Sequence, residues 1–265
     1  ATSAGGQFNL RIEDIDPGRC RPEFEDAIIE DMAWLELEWT QPVWRQSERM
    51  DVYGSALETL NAMDLLYPCF CTRKDIAAEI SQSGAAPHLG HDGPDGPVYP
   101  GICKSLDGST RAARIAAGEP HALRLDMDAA IARAGTLTWH DRSRGEQTAE
   151  PEIFGDVVLA RKDVATSYHL AVTIDDAAQG VTLVTRGSDL FAATHIHRLL
   201  QALLDLDVPE WHHTPLLANS DGERLAKRDR AFTLQAMREA GTDPEEIWAM
   251  AIRQIARGAA SANEL

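Results

Sequence analysis

Three cysteines lie near enough in the chain to share one task. Cys69 and Cys71 are separated by a single residue, and Cys103 follows across a stretch rich in Gly and Pro. Thiolates are soft donors, and a tetrahedral zinc ion takes four such ligands, commonly delivered as two pairs. The Cys-x-Cys spacing is tighter than the usual Cys-x2-4-Cys, so these residues alone leave metal ligation and plain burial of free thiols both open. His88 and His91, between the pairs, are further metal-capable side chains, whereas Cys20, flanked by Arg19 and Arg21, has no partner pattern. A second set of residues is suited to charged ligands. Arg186 carries the planar fork that grips a carboxylate through two hydrogen bonds. Arg224-Leu225-Ala226-Lys227-Arg228 concentrates cations in five residues, which suits phosphates but also suits a solvated loop. Glu13-Asp14-Ile15-Asp16 offers carboxylates as acceptors, and Tyr168 a phenol hydrogen bond.

These side chains need elements to hold them. Alternation at Phe8, Leu10 and Ile12 predicts a strand running into the acidic turn that ends at Pro17-Gly18. In an open α/β sheet, ligands bind at such strand ends. Pro22 at a first-turn position, with Phe24, Ile28, Met32 and Leu35 on one stripe, predicts an amphipathic helix. Asp51 to Leu66 reads as a second helix stopped by Pro68. Between Ser83 and Gly101 the density of Gly and Pro predicts a long loop. Strands are expected at Ala122 to Met127, near Asp156 to Ala160, at Tyr168 to Ile174, at Val181 to Thr185, and briefly near Leu216 and Leu217. Helices are expected at Thr194 to Leu206 and Pro244 to Arg257, with a polar loop from Asn219 to Arg230. Strands alternating with helices predict an α/β fold with a mainly parallel sheet.

Composition narrows the class. The chain has 265 residues, 44% hydrophobic and 25% charged, which excludes collagen-like, disordered and disulfide-scaffold proteins. A net charge of −17 disfavours general polyanion binding, so any nucleic-acid contact must use a confined basic patch. Candidates are Arg45, Arg49, Arg73, Lys74, Arg111, Arg114, Arg142 and Arg144, each of which could equally sit on a solvated face. No apolar run is long enough to span a bilayer, and residues 1–7 lack a signal-peptide pattern, so a cytoplasmic protein with no membrane partner is expected.

Four blocks, taken in order, carry a family resemblance: Leu10 to Arg19, Tyr168 to Asp176, Val184 to Leu190, and Gly222 to Arg228. Together they resemble the catalytic domain of glutamyl-tRNA synthetases, which are class I enzymes with a Rossmann-type fold. The chain stops a short helix after the last block, leaving no room for an anticodon-binding domain, and that points to the short paralogous family, the glutamyl-queuosine tRNA(Asp) synthetases. The resemblance implies activation of L-glutamate by ATP, expected with Mg2+ and without tRNA, followed by transfer to the queuosine base of tRNA(Asp). It implies Glu13 for the substrate ammonium, Arg186 for a carboxylate and Tyr168 as a further glutamate contact. The segment Arg224 to Arg228 resembles the KMSKS loop, with Lys227 at its second Lys, while Arg224 and Ala226 depart from that pattern.

The resemblance also implies one structural zinc ion on Cys69, Cys71, Tyr99 and Cys103, with His88 or His91 as competitors to Tyr99. His88-Leu89-Gly90-His91 spells a near match to the HIGH signature, but the family's signature lies upstream of Arg11 to Asp16. The first βα element is therefore expected to precede Ala1, and His88 and His91 are read as loop residues. Four segments are expected: 1–66 and 121–218 as the two parts of the catalytic domain, 67–120 as a zinc-bearing insertion, and 219–265 as the KMSKS-like loop and a C-terminal helix. A monomer is expected. Two other readings stay open: a truncated glutamyl-tRNA synthetase charging a 3′ end, and a non-catalytic paralogue that binds glutamate or RNA.

Overall fold

Strands and helices alternate through most of the chain. In the computed structural model, residues 1, 5–18, 20–83, 92–216 and 233–262 are described, those at 82, 83 and 254–262 without their side chains. The order opens with β1 (Asn9–Ile12), α1 (Pro22–Trp34), β2 (Thr40–Arg45), α2 (Met50–Ala62), β3 (Leu66–Cys69) and α3 (Arg73–Ser83). It continues with β4 (Asp92–Gly93), β5 (Gly96–Pro97), α4 (Gly108–Ala116), β6 (Ala122–Leu125), α5 (Met127–Ala134), β7 (Thr138–Asp141), β8 (Gly145–Thr148) and β9 (Val158–Ala160). It closes with α6 (Tyr168–Ala178), β10 (Leu183–Gly187), α7 (Ala193–Leu203), β11 (Glu210–Thr214), α8 (Leu234–Glu239) and α9 (Pro244–Ala262). Helices alternate with strands as expected, and the pairing is mixed. β1 and β2 run parallel, as do β7 and β11, while β3, β6 and β9 form an antiparallel sheet in that order.

The chain divides into two compact units. The first comprises Ala1–Glu48, Thr185–Asp189 and His213–Leu265, the second Arg49–Val184 and Leu190–His212. In the first unit, β1 pairs with β2 through Asn9↔Thr40, Arg11↔Trp44 and Ile12↔Arg45. Asp14, just past β1, accepts from the Ser47 amide at 2.9 Å and the Ser47 hydroxyl at 2.6 Å, tying the acidic turn to the end of β2. Helix α1 starts at Pro22, where a missing amide proton costs nothing. Its expected apolar stripe is only partly used: Leu35 is buried, but Phe24 and Ile28 are exposed. α1 meets α8 through its acidic side, with Arg238 donating to Asp31 at 2.9 Å and to Glu30 at 2.8 Å.

The second unit holds the larger core. α6 packs on α7, and their inner faces contribute Leu170, Ala171, Ile174, Ile196, Leu199 and Leu200, all buried. Each buried Leu or Ile among them stabilises the fold by about 2 kcal/mol, Ala171 by less. Trp211 on β11 and Trp139 on β7 meet edge to face at 5.5 Å, and His195 reaches Trp139 from α7. His195 Nδ1 accepts the Glu150 amide at 3.1 Å, and burial pushes its pKa down, keeping the ring neutral. Two expectations are corrected. Tyr168 to Ile174 is the start of α6 and not a strand, and Met127 begins α5 instead of ending β6. The segment expected as an insertion, 67–120, lies wholly within this unit. Its two ends are paired neighbours, with Leu66↔Leu125 through Cys69↔Ala122 in the β3–β6 register.

Candidate functional site

The three cysteines converge. β3 delivers Cys69 at its end, Phe70 and Cys71 turn away from it, and α3 begins at once behind a reciprocal cap in which Thr72 and Asp75 satisfy each other's amides. On the other side, Gly101 adopts φ +80 in the turn between Tyr99 and Cys103, and the Cys103 amide donates to the Tyr99 hydroxyl at 2.7 Å. The result places the Cys71 and Cys103 sulfurs 3.4 Å apart, with the Tyr99 oxygen 3.4 Å from Cys69 Sγ and 3.6 Å from Cys71 Sγ. All three sulfurs lie within 4.8 Å of one another. The Phe70 amide also donates to Cys103 Sγ at 3.3 Å. Burial pushes the Cys71 thiol up to about 12 and the Tyr99 phenol up as well. For Cys69 burial acts the same way, but hydrogen bonding to Tyr99 and Arg124 outweighs it and the net shift is downward. Four acidic groups packed this closely cannot all ionise without a cation among them. These side chains are therefore a set that can hold a metal ion.

Basic side chains surround the cluster, which the sequence reading did not foresee. The Arg124 guanidinium stacks over the Tyr99 ring at 3.7 Å, and Arg114 over Phe70 at 4.1 Å. Arg111 donates to the Lys104 carbonyl at 2.6 Å, and Lys162 to the Phe70 carbonyl at 2.7 Å. The only sequence signal for Arg124 was its place between Leu123 and Leu125 on a strand, which also fits a solvent-facing residue.

The residues expected to meet glutamate are divided between the units. Glu13 follows β1, exposed, with Arg11 reaching it at 3.4 Å. Arg186 is half-buried on β10, where its Nε donates to His213 Nε2 at 3.1 Å and the Thr214 hydroxyl donates to its carbonyl at 3.3 Å. His213, on β11, was not singled out from sequence. The next residue, Gly187, is closely approached: a Cβ there would lie 2.6 Å from Asp189 Oδ1 and 2.8 Å from Leu216 Cδ2, so those side-chain ends would have to shift to admit one. These belong to the first unit, and Tyr168 to the second. Tyr168 opens α6, directly after the capping Ser167, whose hydroxyl accepts the Leu170 amide at 3.4 Å. Beside it His169 Nδ1 lies 3.2 Å from His197 Nε2, and a half-open cavity of about 270 Å³ is lined by Asp95, Tyr99, Arg124, Phe154, Asp156 and His169. The KMSKS-like segment Arg224 to Arg228, with Lys227, lies outside the described residues, as do His88 and His91.

Comparison with known proteins gives this geometry a setting. The family described as tRNA synthetases class I (E and Q), catalytic domain, matches residues 1–264. A protein from Rhodobacter capsulatus named Glutamyl-Q tRNA(Asp) synthetase is 48% identical over 252 residues, covering 93% of this chain and 88% of that protein. One of the same name from Nocardia farcinica is 42% identical over 250 residues, covering 94% of this chain and 74% of the relative. Among solved structures, a glutamate tRNA ligase from Elizabethkingia meningosepticum in complex with its amino acid aligns with a TM-score of 0.69 at 27% identity. That alignment covers 85% of this chain, which spans 46% of the ligase.

Proposed function

The chain belongs to the class I tRNA synthetases of the E and Q group, and from that membership we propose that it activates L-glutamate with ATP and transfers it to the queuosine base of tRNA(Asp). The observation that carries this reading is the near-half identity, over most of both chains, to a protein named for that reaction. Identity to the glutamate tRNA ligase of known structure is much lower.

In this reading Glu13 accepts the substrate ammonium, Arg186 grips a carboxylate and Tyr168 adds a hydrogen bond. A glutamate carboxylate oxygen attacks the α-phosphorus of ATP, and pyrophosphate leaves. No protein base is needed, because that carboxylate is already ionised at neutral pH. Lys227, with the loop Arg224, Leu225, Ala226 and Arg228 around it, supplies positive charge to the phosphates beside Mg2+. An acceptor hydroxyl then attacks the adenylate carbonyl, and AMP leaves. Segments 1–66 and 121–218 form the catalytic domain, 67–120 a zinc-bearing insertion, and 219–265 the phosphate loop with its helix. The enzyme acts as a cytoplasmic monomer.

Cys69, Cys71, Tyr99 and Cys103 would hold one structural zinc ion. Zn–S bonds of about 2.3 Å imply tetrahedral edges of about 3.8 Å. The sulfur and phenol spacings of 3.4 to 3.6 Å fall close to that edge, which supports the assignment. Bound there, zinc would cross-link β3 to the turn before α4.

The test is glutamate-dependent ATP–pyrophosphate exchange on the complete coding chain, with and without tRNA, followed by transfer to an anticodon-stem oligonucleotide carrying queuosine. Exchange without tRNA and transfer to that oligonucleotide are expected. Exchange only with tRNA, and charging of a 3′ end, would overturn the assignment.

A further inference from the structure

A divalent cation held by three thiolates and a phenolate is left dianionic, and the Cys69, Cys103 and Tyr99 side chains that would carry this charge are buried. Uncompensated charge in such a place is costly, so a metal centre of this kind needs a counter-cation close by. The surrounding cations differ in what they can offer. Arg114 is answered by Glu119 through a pair of hydrogen bonds, one of them at 2.7 Å. Arg111 and Lys162 are directed at the carbonyls of Lys104 and Phe70. Arg124 alone among these lies on a ligand side chain, its guanidinium 3.7 Å above the Tyr99 ring. It donates to the backbone carbonyl of Asp156 at 2.7 Å, which fixes its orientation and leaves its charge in place. Its Nε is buried and meets no hydrogen-bond acceptor among the described residues. A cation stacked on a phenol ring is attracted far more strongly once the ring becomes a phenolate.

We propose that Arg124 is the counter-cation of the Cys69–Cys71–Tyr99–Cys103 centre, a positioning residue that makes a phenolate serviceable as the fourth ligand and so sets the affinity for the metal. The proposal rests on the ligand set of the preceding section. It adds a residue outside that set and a reason why a tyrosine works there.

The measurement is Co2+ titration of the full chain after removal of bound metal, followed by the ligand-to-metal charge-transfer bands and by competition with Zn2+. Arg124→Gln keeps a donor for the Asp156 carbonyl and removes the charge, Arg124→Lys keeps the charge, and Tyr99→Phe removes the phenol oxygen. Arg124→Gln is expected to weaken Co2+ binding about 10- to 100-fold, while Arg124→Lys retains most of the affinity. In the Tyr99→Phe background, Arg124→Gln should cost less than in the wild-type chain, because the phenolate is gone while the thiolates, Cys69 among them, remain. Equal losses in Lys and Gln variants would mean that stacking alone matters, and would overturn the proposal, as would unchanged binding by Arg124→Gln alongside a weakened Tyr99→Phe. A wild-type chain that takes up no Co2+, or a Tyr99→Phe chain with unaltered affinity and spectrum, would overturn the ligand set and the inference with it.

Discussion

Arg186, proposed to grip a carboxylate, shows how little of a candidate binding group is visible in its own identity. The sequence marks it as a carboxylate fork, but the structure adds His213, whose Nε2 accepts from the Arg186 Nε at 3.1 Å, and the close approach of Asp189 and Leu216 to Gly187 beside it. With one edge of the guanidinium held by a ring, the other nitrogens point in a fixed direction, and less rotamer freedom is lost when a ligand arrives. His213→Ala should therefore raise KM for glutamate about fivefold with KM for ATP unchanged, while His213→Gln, which keeps an acceptor, recovers part of the loss. Exchange kinetics with each substrate varied in turn would show it, and parallel rises in both constants would refute the role. His213 escaped the sequence reading because a histidine in the short, mostly polar strand Glu210–Thr214 gives no cue to its partner. The cysteine cluster was legible in part: its spacing left metal ligation and buried free thiols both open, the family resemblance supplied Tyr99, and three thiols and a phenol do come together.

At the scale of elements, the errors have a common origin. Residues 170–172 and 174 of α6 are buried on nearly every side, so the segment reads as a continuous apolar run, and such a run does not distinguish a buried helix from a buried strand. The deciding signal was local: Ser167 caps the helix just before Tyr168. The β7–β8 hairpin was missed altogether, although Asp141 Oδ1 accepts from the Ser143 and Arg144 amides and Gly145 takes φ +75, a turn signature present in the sequence. Helix α1, marked by its first-turn proline, and the periodic helices α7 and α9 lay close to where they were expected. Asp175 near the end of α6 makes a testable claim about this element. It is fully buried, accepting from Arg49 at 2.7 Å and from the Tyr53 hydroxyl at 2.7 Å, and so ties α6 to α2. Removing one partner of a buried pair strands the other, so Asp175→Ala should cost about 3 kcal/mol in urea unfolding. A loss under about 1 kcal/mol would show that α6 is held by its apolar face alone.

For the whole molecule the governing number is the net charge of −17. Several basic residues put forward for RNA contact are committed elsewhere. Arg45 pairs with Glu25, Arg49 with Asp175, Arg114 with Glu119 and Arg142 with Glu210, while Arg144 lies over the Phe191 ring. Among the described residues what remains for phosphates is small, so log affinity for tRNA against log salt should have a slope no steeper than about −3 if they carry the contact. A steeper slope, measured between about 50 and 200 mM salt, would require a basic face that the described residues do not provide. The antiparallel register of β3 and β6 bears on a different property of the molecule, its tolerance of change. Cys69 and Ala122 sit opposite each other, so the intervening stretch leaves the sheet and returns to it at one place. Lengthening or shortening that stretch leaves the register of its neighbours alone and changes mainly a loop-closure entropy, which costs only about 0.6 kcal/mol for each doubling of length. This is the position in the fold where evolution can exchange one inserted module for another and leave the sheet around it folded.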